Sequence, residues 1–273
     1  MKPLLDISAA RVFFDGIFSE PRVAHPEGVA VHADGSIWCG TEVGDLLRID
    51  ADGTSVERMG TTGGFLLGIA LDPAGNCYAC DLKHAAIFRY EAATGRMERF
   101  ADAGIKVPNY PVVDVARGCL YVSDTAGDPG IGIYRYDLAT GEGGVWFEGT
   151  RFANGMAMTP DGGELYVVES FVPAVSKVAI KADGSPGALE RVVSDVHNVP
   201  DGLAFAADGT LFISCYEPSR IYRYRPGGPL EVLIEDPHAT TIAHPTNVAL
   251  KGSKMYTANL GRWHITEIDL SSL

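Results

Sequence analysis

With 35 acidic and 22 basic side chains among 273 residues, a formal net charge of −13, the chain lacks the clustered Lys and Arg that nucleic acids and anionic membrane surfaces demand of a partner. A hydrophobic fraction of 46% fits a globular protein with a full core. No window of the sequence approaches the roughly 20 consecutive apolar residues needed to cross a bilayer. These numbers leave small-molecule chemistry or protein docking as the open function classes.

In chain order, the opening Met1-Lys2-Pro3-Leu4-Leu5-Asp6 has no apolar stretch of signal-peptide length. Five cysteines, Cys39, Cys77, Cys80, Cys119 and Cys215, are an odd number without a disulfide-framework spacing, so a reducing cytoplasm is the expected setting. Cys77-Tyr78-Ala79-Cys80 resembles a metal or redox pair in spacing alone. In a strand, residues three apart face opposite sides, which predicts packing rather than ligation.

From residue 27 a short phrase recurs six times, at Glu27-Gly28-Val29-Ala30, Leu67-Gly68-Ile69-Ala70, Tyr110-Pro111-Val112-Val113, Asn154-Gly155-Met156-Ala157, Asp201-Gly202-Leu203-Ala204 and Thr246-Asn247-Val248-Ala249. The spacings are 40, 43, 44, 47 and 45 residues. A strand-built repeat of that period predicts an all-β, six-bladed β-propeller, one four-stranded blade per repeat, and a single domain over residues 1–273.

Within the first repeat, residues 28–32 form an inner strand, Asp34-Gly35 a turn, residues 36–41 a second strand and residues 45–50 a third. Asp52-Gly53 leads to an outer strand from residue 56. Asp-Gly between alternating runs is a hairpin signal, and it returns at Asp161-Gly162, Asp183-Gly184 and Asp208-Gly209. Each second strand carries one large ring (Trp38, Tyr78, Tyr121, Tyr166, Phe212, Tyr256), read as filling between blades. The sixth repeat stops after its third strand, which would leave a sheet edge open. Residues 11–17 (Arg-Val-Phe-Phe-Asp-Gly-Ile), ahead of the first repeat, are the expected fourth strand, so the N-terminal strand should close the last blade.

The residue opening each inner strand stands at one end of the central channel, giving a rim of Glu27, Leu67, Tyr110, Asn154, Asp201 and Thr246. Glu27, Asn154 and Asp201 offer oxygen, and Asn109 can join them if its stretch is shifted by one residue. Singly, such residues cap strand ends. Together, two carboxylates and one or two amide oxygens make a hard, oxygen-only site suited to Ca²⁺ or Mg²⁺, and two buried like charges call for a counter-ion. The ends of the second strands meet the same rim, which makes Asp81, Asp124 and Glu169 candidates for holding substrate, against strand-end capping. His25 and His244 precede rim positions by two residues, so alternation aims them at a substrate. Loops at residues 100–111 and 126–131 are expected as lids. The motifs of nucleophile-elbow, P-loop and zincin enzymes do not occur.

Pro26-Glu27-Gly28, Phe152-Ala153-Asn154-Gly155-Met156-Ala157, Pro200-Asp201-Gly202-Leu203-Ala204 and Pro245-Thr246-Asn247-Val248 resemble the regularly placed motifs of the SMP-30/gluconolactonase/LRE-like family, over about residues 20–270. The resemblance implies a six-bladed propeller with a divalent cation in the channel, Ca²⁺ foremost with Zn²⁺ or Mg²⁺ as alternatives, that hydrolyses a lactone or related ester. It implies Glu27, Asn154 and Asp201 as metal ligands, with Asp201 also the catalytic proton acceptor. Asn109 matches an Asn that binds substrate or metal in the family, but here Tyr110-Pro111 follows it. Val107 replaces an Arg that sugar-lactone hydrolases of the family often carry, which favours a less polar substrate.

The expected partner is therefore a small lactone or ester met by a monomer or small homo-oligomer, with Asn109, Tyr110, His25, His244 and Asp124 contacting substrate. Two other readings remain: a propeller used as a binding module around a structural metal, and a metal-dependent hydrolase of another ester or phosphotriester.

Overall fold

The structure, a computed structural model, describes residues 2–127, 132–194, 196 and 199–273. Its strands form six four-stranded antiparallel sheets, the blades of a propeller. The short 3-10 turn Ile7–Ala9 is the sole helical segment among the described residues, and none of their helices is long and apolar enough to cross a membrane. The six inner strands are Val29–Val31, Leu66–Leu71, Pro108–Asp114, Ala153–Met158, Val199–Phe205 and Pro245–Lys251. They follow the repeat read in the sequence.

Asp-Gly turns join the first two strands of several blades, with Gly35 and Gly209 at φ of 92° and 84°. That left-handed region favours glycine because it has no Cβ to clash.

The large ring of each second strand seals one blade to the next. Trp38 packs with Leu66, Ile69 and Ala79 of blade two, Tyr78 with Leu120 and Val122 of blade three, and Tyr121 with Met156, Leu165 and Val167 of blade four. Tyr166 packs with Leu203 and Ile213 of blade five, Phe212 with Val248 and Met255 of blade six, and Tyr256 with Val29 and Ile37 of blade one. The last contact closes the circle.

Blade six is completed from the other end of the chain. The strand Ala10–Asp15 pairs antiparallel with His264–Asp269, from Ala10 opposite Ile268 to Asp15 opposite His264. Phe13 is buried against Tyr256, their ring centroids 5.1 Å apart. Arg11 and Lys254 both reach Glu267, at 3.0 and 2.9 Å. Ahead of that strand, the backbone N–H groups of Leu4 and Leu5 donate to Val232 and Leu233 of blade five.

All five cysteines are free and buried. Cys77 packs on one face of its sheet and Cys80 on the other, and burial pushes both thiols up.

Candidate functional site

In blades two to six the inner strand begins with a break in pairing. In blade two Leu66 faces Asp81 and the ladder resumes at Ile69 with Ala79. In blade three Pro108 faces Asp124 and pairing resumes at Pro111 with Val122. In blade four Ala153 faces Glu169 before Met156 meets Val167. In blade five Pro200 faces Cys215 before Leu203 meets Ile213, and in blade six Pro245 faces Asn259 before Val248 meets Thr257. Such bulges re-aim side chains, and here they give the first skipped residue of blades two to six one common position; in blade one, where pairing starts at Val29 opposite Cys39, the repeat puts Glu27 in the same place. The ring is Glu27, Leu67, Asn109, Asn154, Asp201 and Thr246.

This corrects blade three. Asn109 holds the ring position, and Tyr110 occupies the place taken by Gly28, Gly68, Gly155 and Gly202 in its neighbours. Tyr110 is 9% exposed, packs with Tyr121, Ile133 and Met156, and lines the shaft below the ring. Glycine at the equivalent places permits adjacent inner strands to touch: a Cβ on Gly155 would come within 2.4 Å of the Asp201 carbonyl oxygen, and one on Gly202 within 2.5 Å of the Thr246 carbonyl oxygen.

Three residues further along, the shaft is lined by Ala30, Ala70, Val112, Ala157, Ala204 and Ala249, around a cavity of about 300 Å³. The oxygen-bearing ring therefore sits on an apolar shaft that solvates charge poorly. Asp201, Asn154 and Asn109 are 6%, 7% and 8% exposed, and Glu27 is partly exposed. Burial raises the Glu27 carboxyl to about 7. Burial and then the nearby Glu27 charge push Asp201 well above its usual range, while a hydrogen bond from Asn154 pulls the other way.

Two ring oxygens, Oδ1 of Asn154 and Oδ1 of Asp201, are buried without a hydrogen-bond partner. For Asn154 the orientation is imposed. Its Nδ2 donates to Ser170 Oγ at 3.2 Å, and that hydroxyl donates to the Pro200 carbonyl oxygen at 2.8 Å. The amide oxygen is left over. Asn247 holds Glu27 in a comparable way, its Nδ2 donating to the Glu27 carbonyl oxygen at 3.0 Å beside the Thr246 hydroxyl at 2.7 Å. Ser170 and Asn247 went unassigned in the sequence because their partners lie 16 and 220 residues away. Thr246 spends its hydroxyl on the backbone and Leu67 has none to offer, so the oxygens gather on blades one, three, four and five. Among the described residues no three His, Cys, Asp or Glu side chains meet in a metal-holding group; a cation here would rest on two carboxylates and amide oxygens. Unpartnered, hard oxygens beside two like charges are the donor set that fits Ca²⁺ or Mg²⁺.

The second-strand carboxylates have other work. Asp124 is fully buried and accepts from the backbone N–H of Lys106, Val107 and Ala126 at 3.1, 3.0 and 2.8 Å. That is a structural staple, which corrects its reading as a substrate contact. Asp81 accepts from His84 N–H at 2.9 Å and Glu169 from Arg151 N–H at 2.9 Å in the same manner. The lid expected at residues 100–111 is likewise corrected. Residues 108–111 belong to the inner strand, and the connection before it is pinned by Asp124 and by the Tyr134 and Tyr136 hydroxyls, which donate to Gly104 and Ala103. Of the second expected lid, residues 128–131 lie outside the described residues.

His25 and His244 sit two residues ahead of Glu27 and Thr246 with φ of 55° and 54°, and Phe152 holds the same place and conformation ahead of Asn154, φ 54°. Strain of this kind collects at functional sites. His25 Nδ1 lies 3.1 Å from Glu42 Oε2, and His244 Nδ1 lies 3.0 Å from the Tyr216 carbonyl oxygen with its ring against the Tyr216 ring.

Comparison with known proteins gives the arrangement a family. A family model described as the SMP-30/gluconolactonase/LRE-like region matches residues 116–260, and one described as strictosidine synthase-like, N-terminal, matches residues 19–49. The chain is 24% identical over 299 aligned positions to the protein strictosidine synthase-like 6 of Arabidopsis thaliana, covering 90% of this chain and 79% of the relative. It is 23% identical over 229 positions to the adipocyte plasma membrane-associated protein of Salmo salar, covering 71% of this chain but spanning only 54% of that relative's length. The solved structure of a gluconolactonase from Xanthomonas campestris superimposes with a TM-score of 0.77 at 19% identity, over 95% of this chain and 89% of that one. The repeat, the six blades and the match over residues 116–260 together make this chain a member of the SMP-30/gluconolactonase/LRE-like family.

Proposed function

We propose that the chain is a divalent-metal-dependent hydrolase that opens a lactone ring. The observation carrying this reading is the pair of unpartnered oxygens, Asn154 Oδ1 and Asp201 Oδ1, beside two carboxylates that burial holds above their usual range, Asp201 further so by the Glu27 charge. Glu27, Asn154 and Asp201 would hold the cation, with Asn109 beside Asn154 in the order of the ring. A bound Ca²⁺, Zn²⁺ or Mg²⁺ would supply positive charge against the negative charge that develops on the carbonyl oxygen.

Asp201 is the proton acceptor. It takes a proton from the attacking water as the new C–O bond forms at the carbonyl carbon. It returns that proton to the ring oxygen when the old C–O bond breaks, so the product is a hydroxy acid and the enzyme ends unchanged. The Asn109 amide can orient the substrate. The apolar shaft beneath keeps bulk water from the carboxylates, which strengthens every charge interaction at the ring. Family membership and the gluconolactonase neighbour support a lactone over other esters.

The direct experiment is a lactone panel assayed after chelation and again with Ca²⁺, Mg²⁺, Mn²⁺ or Zn²⁺ restored singly. Turnover should vanish on chelation and return with at least one ion; full turnover in the chelated protein would defeat the proposal. Ser170 gives a second check. Ser170→Ala frees the Asn154 amide to rotate, and losses of supporting partners of this kind weaken cation affinity about 10–100-fold. Ser170→Thr keeps the hydroxyl and should restore binding. Calorimetric titration with Ca²⁺ reads both, and equal affinity in the Ala variant and the parent would show that Asn154 needs no such support.

A further inference from the structure

The ring carries the polar chemistry, but what surrounds its mouth has a different character. The residues two places ahead of the ring are His25, Phe65, Val107, Phe152, Val199 and His244. Four are apolar, two are imidazoles, and none is a carboxylate, a lysine or arginine, an amide or a hydroxyl. In blades two to six they share one phase, fixed by the bulge that follows, and His25 takes the same place in the repeat of blade one. They also touch across blades: the His25 and Phe65 rings, from blades one and two, lie 5.3 Å apart. Val199 is 44% exposed.

Blade four extends the collar. Phe152 stacks on Phe171 with centroids 4.1 Å apart and planes 27° from parallel, yet Phe171 remains 63% exposed. Phe171 directly follows Ser170, the residue that orients Asn154, so this aromatic face is anchored to the ring itself. A free, stacked phenyl face of this kind at a site is unpaired apolar surface awaiting contact.

From this collar we infer that the substrate is a lactone bearing an apolar alkyl or aryl substituent, not a polyhydroxylated one: the ring takes the carbonyl and the collar takes the tail, chiefly on Phe152 and Phe171. The inference rests on the lactonase reading above and specifies its substrate class. Hydroxyl groups seated on the Phe152 and Phe171 rings would lose water without gaining partners there, a cost that apolar tails avoid. The alternative use of an apolar rim, seating on a membrane surface, is disfavoured by the net charge of −13, which repels anionic lipid.

The test is a series of δ-lactones with hydrogen, butyl, hexyl or octyl tails beside a polyhydroxylated δ-lactone, assayed on the metal-loaded protein. Catalytic efficiency should rise about fourfold per methylene until the collar is filled, mostly through KM, and the polyhydroxylated lactone should be the poorest substrate. Phe171→Ala should lower the ratio of kcat/KM for the octyl lactone to that for the unsubstituted one about tenfold. Phe171→Gln, which keeps the side chain's length but not its apolar face, should do the same. A flat series, or preference for the polyhydroxylated lactone, overturns the inference while leaving the lactonase reading intact. If no lactone turns over at all, that reading fails, and the collar is judged by calorimetric binding of the matching 2-alkyl cyclic ethers. Affinity rising with tail length and falling in Phe171→Ala upholds an apolar-tail site; affinity independent of the tail overturns it.

Discussion

Asp201→Asn should abolish most lactone turnover and, in the cation-free protein, raise thermal stability. The two effects share one cause. Asp201 is 6% exposed over an apolar shaft, and its ionised form is disfavoured by burial and by Glu27. Removing the carboxylate removes the proton acceptor, a loss on the order of 10²–10⁴ in kcat, and also relieves the repulsion.

The same electrostatics set a pH dependence in the chelated protein. A carboxyl whose folded value lies above its unfolded one stabilises the fold fully below the unfolded value, and that contribution disappears as pH rises toward the folded value. For Glu27 the window runs from 4.5 to about 7, and stability is lost as pH rises through it. Asp201 adds in the same direction. Surface carboxylates such as Asp50, held low by hydrogen bonds from Thr54, act below their ordinary value and do not mask it. Thermal unfolding of chelated protein from pH 4.5 to 7.5 should therefore show a falling midpoint, and Glu27→Gln should make the fall shallower, leaving the part that Asp201 contributes. Added cation should restore the midpoint near neutrality, by differential binding to the folded state. An Asp201→Asn protein with undiminished turnover, or a chelated wild type that gains stability across that window, would contradict the electrostatic account of the ring.

The repeat was legible in the chain because a strand's period of two and the Asp-Gly hairpins are local signals, and because a bulky ring at a fixed place in each second strand has one economical use. The closing strand was legible from a different argument, the open edge left by a three-stranded last repeat. Blade three shows where local signals stop. Its neighbours mark the residue after the ring with glycine, but Pro108-Asn109-Tyr110-Pro111 puts Tyr110 there, so a reading by sequence phase shifts by one. Only the register, Pro108 opposite Asp124 and Pro111 opposite Val122, returns Asn109 to the ring. Asp124 was legible as a rim carboxylate but not as a staple, since two of the three N–H groups that occupy it come from residues 17 and 18 positions earlier. Ser170 looks unremarkable in sequence for the same reason: its significance is a two-step path from the Asn154 amide to the Pro200 carbonyl.

Deleting residues 1–18 should leave a chain that does not fold cooperatively at 25 °C. The strand Ala10–Asp15 supplies the whole outer ladder of blade six, and a propeller without it presents the long edge of His264–Asp269 to solvent, where further chains can pair. Burial adds to the loss. Phe13 is 5% exposed within the cluster of Val23, Val29, Ile37 and Tyr256 that joins blade six to blade one, and removing a buried Phe side chain alone costs about 3–5 kcal/mol. Glu267, 6% exposed, would lose its contact with Arg11 and keep only Lys254 and Tyr256. Against a net stability on the order of 5–15 kcal/mol for a domain, loss of the ladder, the Phe13 contact and the Leu4 and Leu5 backbone bonds leaves little margin. Phe13→Ala isolates the packing part and should lower the midpoint by roughly 10 °C, within the range that about 3–5 kcal/mol produces in a chain of this size. The truncated chain should elute as aggregate in size exclusion and show no cooperative transition by circular dichroism. A monomeric truncated protein with its original melting temperature would mean that the ring is held shut by the inner strands and the inter-blade rings alone.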